Sequence, residues 1–188
     1  ILIMILWGIV VLFILGAEFS RHKRKTRVLY LGVLLLFAGW WVTIKPSNDR
    51  LWEQDVAHTV TGTVNGNHVT LHSVRNFIWR GVEEYDPAWE DRQYDIEKLS
   101  SVDLFLSSWG SPAIAHTLIS FGFTDGQYVT FSVEIRKELG EKFSEIAGFF
   151  KQYEIALIAA DERDIIKTRT HIRKEDVLRY RVNLTPEQ

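Results

Sequence analysis

Residues 113–136 read AIAHTLISFGFTDGQYVTFSVEIR, two strand-like runs around Thr124-Asp125-Gly126-Gln127. Through 128–136 the odd positions are apolar (Val129, Phe131, Val133, Ile135) and the even ones polar (Thr130, Ser132, Glu134, Arg136). A period of two marks a strand with one face covered. In the first run the bulky apolar set Ile119, Phe121 and Phe123 is odd as well. A core on the odd face requires odd residues to pair with odd, because a one-residue slip turns every apolar side chain to the other face. His116, Ser120, Ser132 and Glu134 then share the second, half-exposed face. His116 falls directly or diagonally opposite Glu134, within cross-strand reach.

A carboxylate beside an imidazole fixes its tautomer and stabilises its charged form. His116 and Glu134 are therefore the candidate catalytic residues, base and orienter of a nucleophile–base–orienter arrangement. The simpler reading is a cross-strand pair of a kind common on sheets. Ser111 and Ser120 are weaker nucleophile candidates, since neither sits in the glycine pattern of a nucleophile elbow. His68 and His72 alternate on one strand face without a carboxylate at ligand spacing, so no metal is expected, and no cofactor. Arg75 and Arg80 suit either a structural ion pair or lipid phosphate.

Outward from the hairpin, Asn65-Gly66 between β-rich runs predicts a second hairpin, with arms at 55–64 and 67–79. Residues 83–98 are turn-rich, with a short strand around Tyr94-Asp95-Ile96. Residues 99–108 read equally as strand or short helix. Residues 138–151 look helical, interrupted at Gly148. The run 153–160, YEIALIAA, is too short to classify by period. Asp161-Glu162-Arg163-Asp164 opens a helix through about Thr170, as a solvated or ion-paired start. Residues 176–184 alternate as a strand. Strands with inserted helices predict an α+β domain over 46–188, with an antiparallel sheet.

Residues 1–45 differ in kind. ILIMILWGIVVLFILGA (1–17) and VLYLGVLLLFAGWWVTI (28–44) carry no charge. Each makes a helix of roughly 26 Å, near the thickness of a bilayer core. Arg21, Lys23, Arg24, Lys25 and Arg27 lie between them. A basic loop at 20–27 stays cytoplasmic, which predicts a two-span hairpin with everything after Lys45 on the far side. A signal peptide followed by one anchor fits less well, because its apolar region is too long and the basic cluster lies on its wrong side.

Six Lys or Arg and the single acid Glu18 fall in residues 1–45, a net of +5. The remaining 16 basic and 23 acidic residues give the rest a net of −7. An acidic soluble part argues against nucleic acid as partner, since phosphate binding needs a basic surface. The chain has no cysteine, which excludes disulfides and thiolate sites within it.

Four stretches carry a family resemblance: HSVRNFIWR (72–80), SPAIAHTLISFGF (111–123), FSVEIRKELGEKFSEIAGFFKQYE (131–154) and ADERDIIKTRTHIR (160–173). In this order they resemble the bacterial Lnb N-terminal periplasmic domain family, named for lipoprotein N-acyltransferase. The resemblance implies an inner-membrane, multi-pass protein with a periplasmic domain of permuted papain-like fold. It implies that His116 is the family histidine, partnered by a cysteine in a downstream Asn-Cys-Thr-like motif. It further implies a Cys–His acyltransferase, with membrane phospholipid as acyl donor and the N-terminal amine of lipoproteins as acceptor. A papain-like amide hydrolase and a non-catalytic membrane-tethered binding module are the alternatives. Residue 1 is Ile, Met4 is the only methionine and no cysteine precedes Gln188. A fragment is therefore expected, or else a short form that has lost the nucleophile.

Overall fold

The structure is a computed structural model, and it describes residues 2–17, 23–109, 114–144, 147–148 and 150–183. It divides into two compact units, Ile1–Arg50 with Phe143–Gln152, and Leu51–Lys142 with Tyr153–Gln188.

The first unit contains two apolar helices, α1 (Leu2–Ala17) and α2 (Lys23–Thr43). Trp7 of α1 stacks on Phe37 of α2 at 4.8 Å between ring centroids. Among the described residues α2 is the one helix long and apolar enough to cross a membrane; α1, at 16 residues, falls short of that length. Of the expected spans at 1–17 and 28–44, the second corresponds to a helix of spanning length among the described residues. The basic residues Lys23, Arg24, Lys25 and Arg27, expected in a loop, belong to the first turns of α2. Residues 20–22 of the expected loop lie outside the described residues.

The second unit is a mixed eight-stranded sheet of β1 (Thr61–Asn65), β2 (His68–Arg75), β5 (Trp89–Asp95), β6 (Leu99–Ser108), β7 (Ala115–Phe123), β8 (Tyr128–Arg136), β9 (Glu154–Ala160) and β10 (Asp176–Val182). The order is β1-β2-β9-β8-β7-β6-β10, with β5 also on β2. Strands β3 (Ile78–Trp79) and β4 (Tyr85–Asp86) form a separate ribbon. Every pair in the large sheet is antiparallel except β2–β9, where Val74 and Arg75 face Ala159 and Ala160 in parallel. Helix α3 (Glu162–Lys167) continues into a π-helical turn, Thr168–Ile172. The ambiguous runs 99–108 and 153–160 are both strands. Residues 138–144, expected to open a helix, are not helical.

The turns follow the chemistry of their residues. Gly66 and Gly126 adopt φ of 58° and 85°, which glycine accepts without a Cβ clash. The Asp125 carboxylate accepts from the Gln127 amide at 3.2 Å and closes the β7–β8 turn. The register across that turn is Leu118↔Ser132, Ile119↔Phe131 and Ser120↔Thr130. Odd pairs with odd, as the alternation predicts.

The burial of the two faces reverses the expectation. The even face, expected to be half exposed, is the deeply covered one: Leu118 and Thr130 are 0% exposed, Ser120 1% and Ser132 2%. On the odd face Ile119, Val133 and Ile135 are 40–56% exposed. The covered side carries the core cluster of Phe105, Leu118, Ala156, Ile158, Ala160 and Ile165, to which α3 contributes Ile165. Part of the odd face is also packed, where Val129, Phe121 and Phe131 meet Val74 and Tyr94. Ser120 and Ser132 tolerate the covered face because each hydroxyl is hydrogen-bonded there.

Helix α3 is fastened by one buried ion pair. Asp164 accepts from Arg75 Nε at 2.9 Å and Nη2 at 3.1 Å, a bidentate fork. The same carboxylate accepts from the Phe77 amide at 2.9 Å and Trp79 Nε1 at 2.7 Å. Asp161 caps the helix by accepting from the Arg163 amide. Asp164, read from sequence as part of a solvated or ion-paired helix start, is therefore ion-paired and wholly buried. Asp164→Ala is expected to lower unfolding stability by ~3–5 kcal/mol, because it strands the Arg75 charge. Arg75→Met with Asp164→Leu should recover part of that loss. Chemical denaturation in detergent measures both, and a wild-type midpoint for Asp164→Ala would remove this pair from its structural role.

Candidate functional site

β7 and β8 present His116, Ser132 and Glu134 to the covered side of the sheet, and α3 with its π turn closes over them. His116 Nε2 lies 2.6 Å from Ser132 Oγ and 3.3 Å from Glu134 Oε1. Ser132 Oγ donates to Glu134 Oε1 at 2.6 Å. Arg169, from the π turn, donates Nη2 to the same oxygen at 2.8 Å and Nη1 to Glu175 at 3.2 Å. Glu175 in turn accepts from Ser107, which faces His116 across the β6–β7 ladder. A neighbouring branch on the same face joins Ser120 Oγ to Glu162 at 2.5 Å. Beyond it, Asp103, opposite Ser120, accepts from Arg179 at 2.7 Å and Arg181 at 2.6 Å.

Burial opposes ionisation of Glu134, but the hydrogen bond with His116, the Arg169 charge and the Ser132 hydroxyl outweigh it. They hold the carboxyl well below the usual glutamate range. Asp103 shows the same balance, burial outweighed by Arg179 and Arg181. An ionised Glu134 can only accept, so the single Ser132 proton points at it. His116 Nε2 must then donate to Ser132, which places the proton of a neutral imidazole on Nε2. In that neutral form Nδ1 carries the lone pair, and no hydrogen bond occupies it among the described residues. The site thus holds a histidine whose orientation is set at one nitrogen and whose basic atom is the other. Two buried polar atoms nearby, Thr130 Oγ1 and Arg169 Nε, find no partner among the described residues.

The structure brings His116 and Glu134 together, adds Ser132 as a bridge and sets Ser120 on the Glu162 branch. Ser111 lies outside the described residues. His72 stands apart, its Nδ1 2.7 Å from the exposed Asp91; that carboxylate is distant in sequence, so ligand spacing could not reveal it. Arg75 and Arg80 are both ion-paired, with Asp164 and Asp86. Arg169 and Glu175 were missed because nothing in TRTHIRKED marks which residue the π turn directs inward.

A sheet-rich α+β domain with a partly buried His–Ser–Glu–Arg cluster is the class that fold and site define. The family model of the Lnb N-terminal periplasmic domain matches residues 85–188, more than half of the chain. The chain belongs to that family. Three of the four resembling stretches fall within the match, and HSVRNFIWR precedes it. No curated protein and no solved structure matches the chain.

The site makes a pH prediction. A carboxyl whose folded value is depressed adds stability that is complete above its ordinary value of 4.5 and is lost as pH falls below it. Glu134→Gln should therefore be less stable than wild type at neutral pH, with the gap narrowing as pH falls below about 4.5. A gap that stays constant from neutral to strongly acidic pH in thermal melts would contradict this account.

Proposed function

We propose that this chain supplies the histidine half of a Cys–His acyltransferase of permuted papain-like fold, anchored in the bacterial inner membrane and acting on lipoproteins in the periplasm. The observation that carries the reading is the His116 arrangement: Nε2 engaged by Ser132 and Glu134, and Nδ1 unoccupied among the described residues. A thiol approaching Nδ1 would give up its proton there and attack the ester carbonyl of a phospholipid. The products are an enzyme thioester and a lysophospholipid. The N-terminal amine of a lipoprotein then attacks the thioester, forming an amide and releasing the thiol, with His116 handling the proton in both directions.

None of the 188 residues is cysteine, so the reading needs a thiol from polypeptide outside them. Anchoring rests on α2, whose apolar side chains are outward-facing, Leu36 at 76% exposed. It rests also on the basic residues at the start of α2. They sit at the positive end of the helix dipole, an unfavourable place that anionic headgroups would offset. The family's periplasmic character agrees with basic residues on the cytoplasmic side. The same proposal makes α1 a second span.

The lack of a cysteine also favours a second reading, a membrane-tethered binding module in which the cluster is purely structural. The two separate in one experiment. In cells that depend on this protein for lipoprotein N-acylation, His116→Ala should abolish acylation, read by mass analysis of lipoprotein N-termini, while the variant accumulates normally. Undiminished acylation would end the acyltransferase reading. Capture of lipoproteins by detergent-solubilised wild type and His116→Ala alike, without acylation by either, would support the binding module.

A further inference from the structure

Residues 143–152, FSEIAGFFKQ, leave the sheet-rich unit at Lys142 and return to it at Tyr153. The two ends of this excursion are held together, since Tyr153 Oη donates to the Lys142 carbonyl at 2.7 Å. The excursion itself belongs to the unit of the apolar helices. Its composition is unusual for a surface loop, with three phenylalanines and an isoleucine in ten residues. Phe143 is 55% exposed. Ser144 Oγ accepts from the Ala147 amide at 3.3 Å, and its carbonyl accepts from the Gly148 amide at 3.1 Å.

Lys151 fastens this segment to the C-terminal end of α2. Its ammonium donates to the Trp41 carbonyl at 3.3 Å and lies 4.8 Å from the centre of the Trp41 ring. Trp41 is within the last turn of α2, where carbonyls lack helical partners and the dipole is negative. A cation there answers an orphan acceptor, the dipole and the indole face together. Thr43 Oγ1 donates to the Trp40 carbonyl at 2.6 Å and so satisfies a second of these carbonyls. Lys151 reaches this position with φ of 55°, a left-handed conformation that a non-glycine residue adopts at a cost.

We propose that Phe143 and Lys151 form a second membrane contact, with the lysine in the headgroup layer and Phe143 turned into the lipid. The inference rests on the anchoring of α2 proposed above. Trp40 and Trp41 end the apolar run of α2, and tryptophans at the end of a span sit at headgroup level. Lys151 holds the excursion to Trp41, so the excursion shares that level. An exposed phenylalanine is costly in water and favourable in the interface, where lysine keeps its charge among lipid phosphates.

The chain has no cysteine, so one engineered thiol can carry a fluorescent label without competition. The full chain is reconstituted in phosphatidylethanolamine–phosphatidylglycerol vesicles with an NBD label at Phe143→Cys, Leu36→Cys (in the span) or Glu83→Cys (in the sheet-rich unit). Quenching by iodide in water is compared with quenching by lipids spin-labelled at shallow or deep acyl positions. The expected result is several-fold weaker iodide quenching at 143 than at 83, with strong quenching by the shallow lipid label. Adding Lys151→Ala should raise iodide quenching at 143 without altering position 36. Iodide quenching at 143 equal to that at 83, with position 36 still quenched by the deep label, would overturn this inference and leave α2 anchored. Iodide access at 36 would overturn the anchoring and this inference with it.

Discussion

The Arg75–Asp164 ion pair is the constraint on which the candidate site depends. Both side chains are almost wholly removed from water, and the carboxylate is shared with the Phe77 amide and the Trp79 indole. Desolvating two charges is costly, so such a pair is weak as a source of net stability. Its value lies in position. It holds α3 against β2, and the turn that follows α3 brings Arg169 to Glu134. Remove it, and the guanidinium that balances Glu134 loses its bearing.

That arrangement explains why the polar face of the β7–β8 hairpin faces inward. An imidazole, two hydroxyls and a carboxylate are costly to bury one by one. Arg169, Glu162 and Glu175 give each of the four a partner, and paired polar groups favour one arrangement of the hairpin. Glu134 stays ionised under burial because Ser132 and Arg169 donate to it and His116 lies beside it. Its charge keeps Ser132 pointing towards it, and Ser132 sets the tautomer of His116. The chemistry open to Nδ1 thus follows from contacts made at Nε2.

The same logic of orphaned groups runs through the apolar helices. The carbonyls that end α2 are answered by Thr43 and by Lys151, a residue more than a hundred positions away. A helix end that recruits a cation from so distant a segment ties a stretch rich in phenylalanine to the point where an apolar helix terminates.

The amino-acid sequence by itself determined what local periodicity and turn chemistry can carry. Alternation in YVTFSVEIR settled that residues 128–136 form a strand and that even residues face even ones. Asn65-Gly66 and Asp125-Gly126 settled two hairpins, and the uncharged run after Arg27 settled an apolar helix. His116 and Glu134 were legible as neighbours for the same reason, since pairing parity is a local property. The tertiary structure alone decided which face is covered. Apolar alternation implies a core on the odd side only when polar residues lack partners, and here Arg169, Glu162 and Glu175 supply them from distant parts of the chain. The parallel pairing of β2 with β9 and the fastening of α3 by Arg75 join residues some ninety positions apart. Nothing in a local pattern records such a contact, because its free energy arises only when the folded chain brings two charges out of water together.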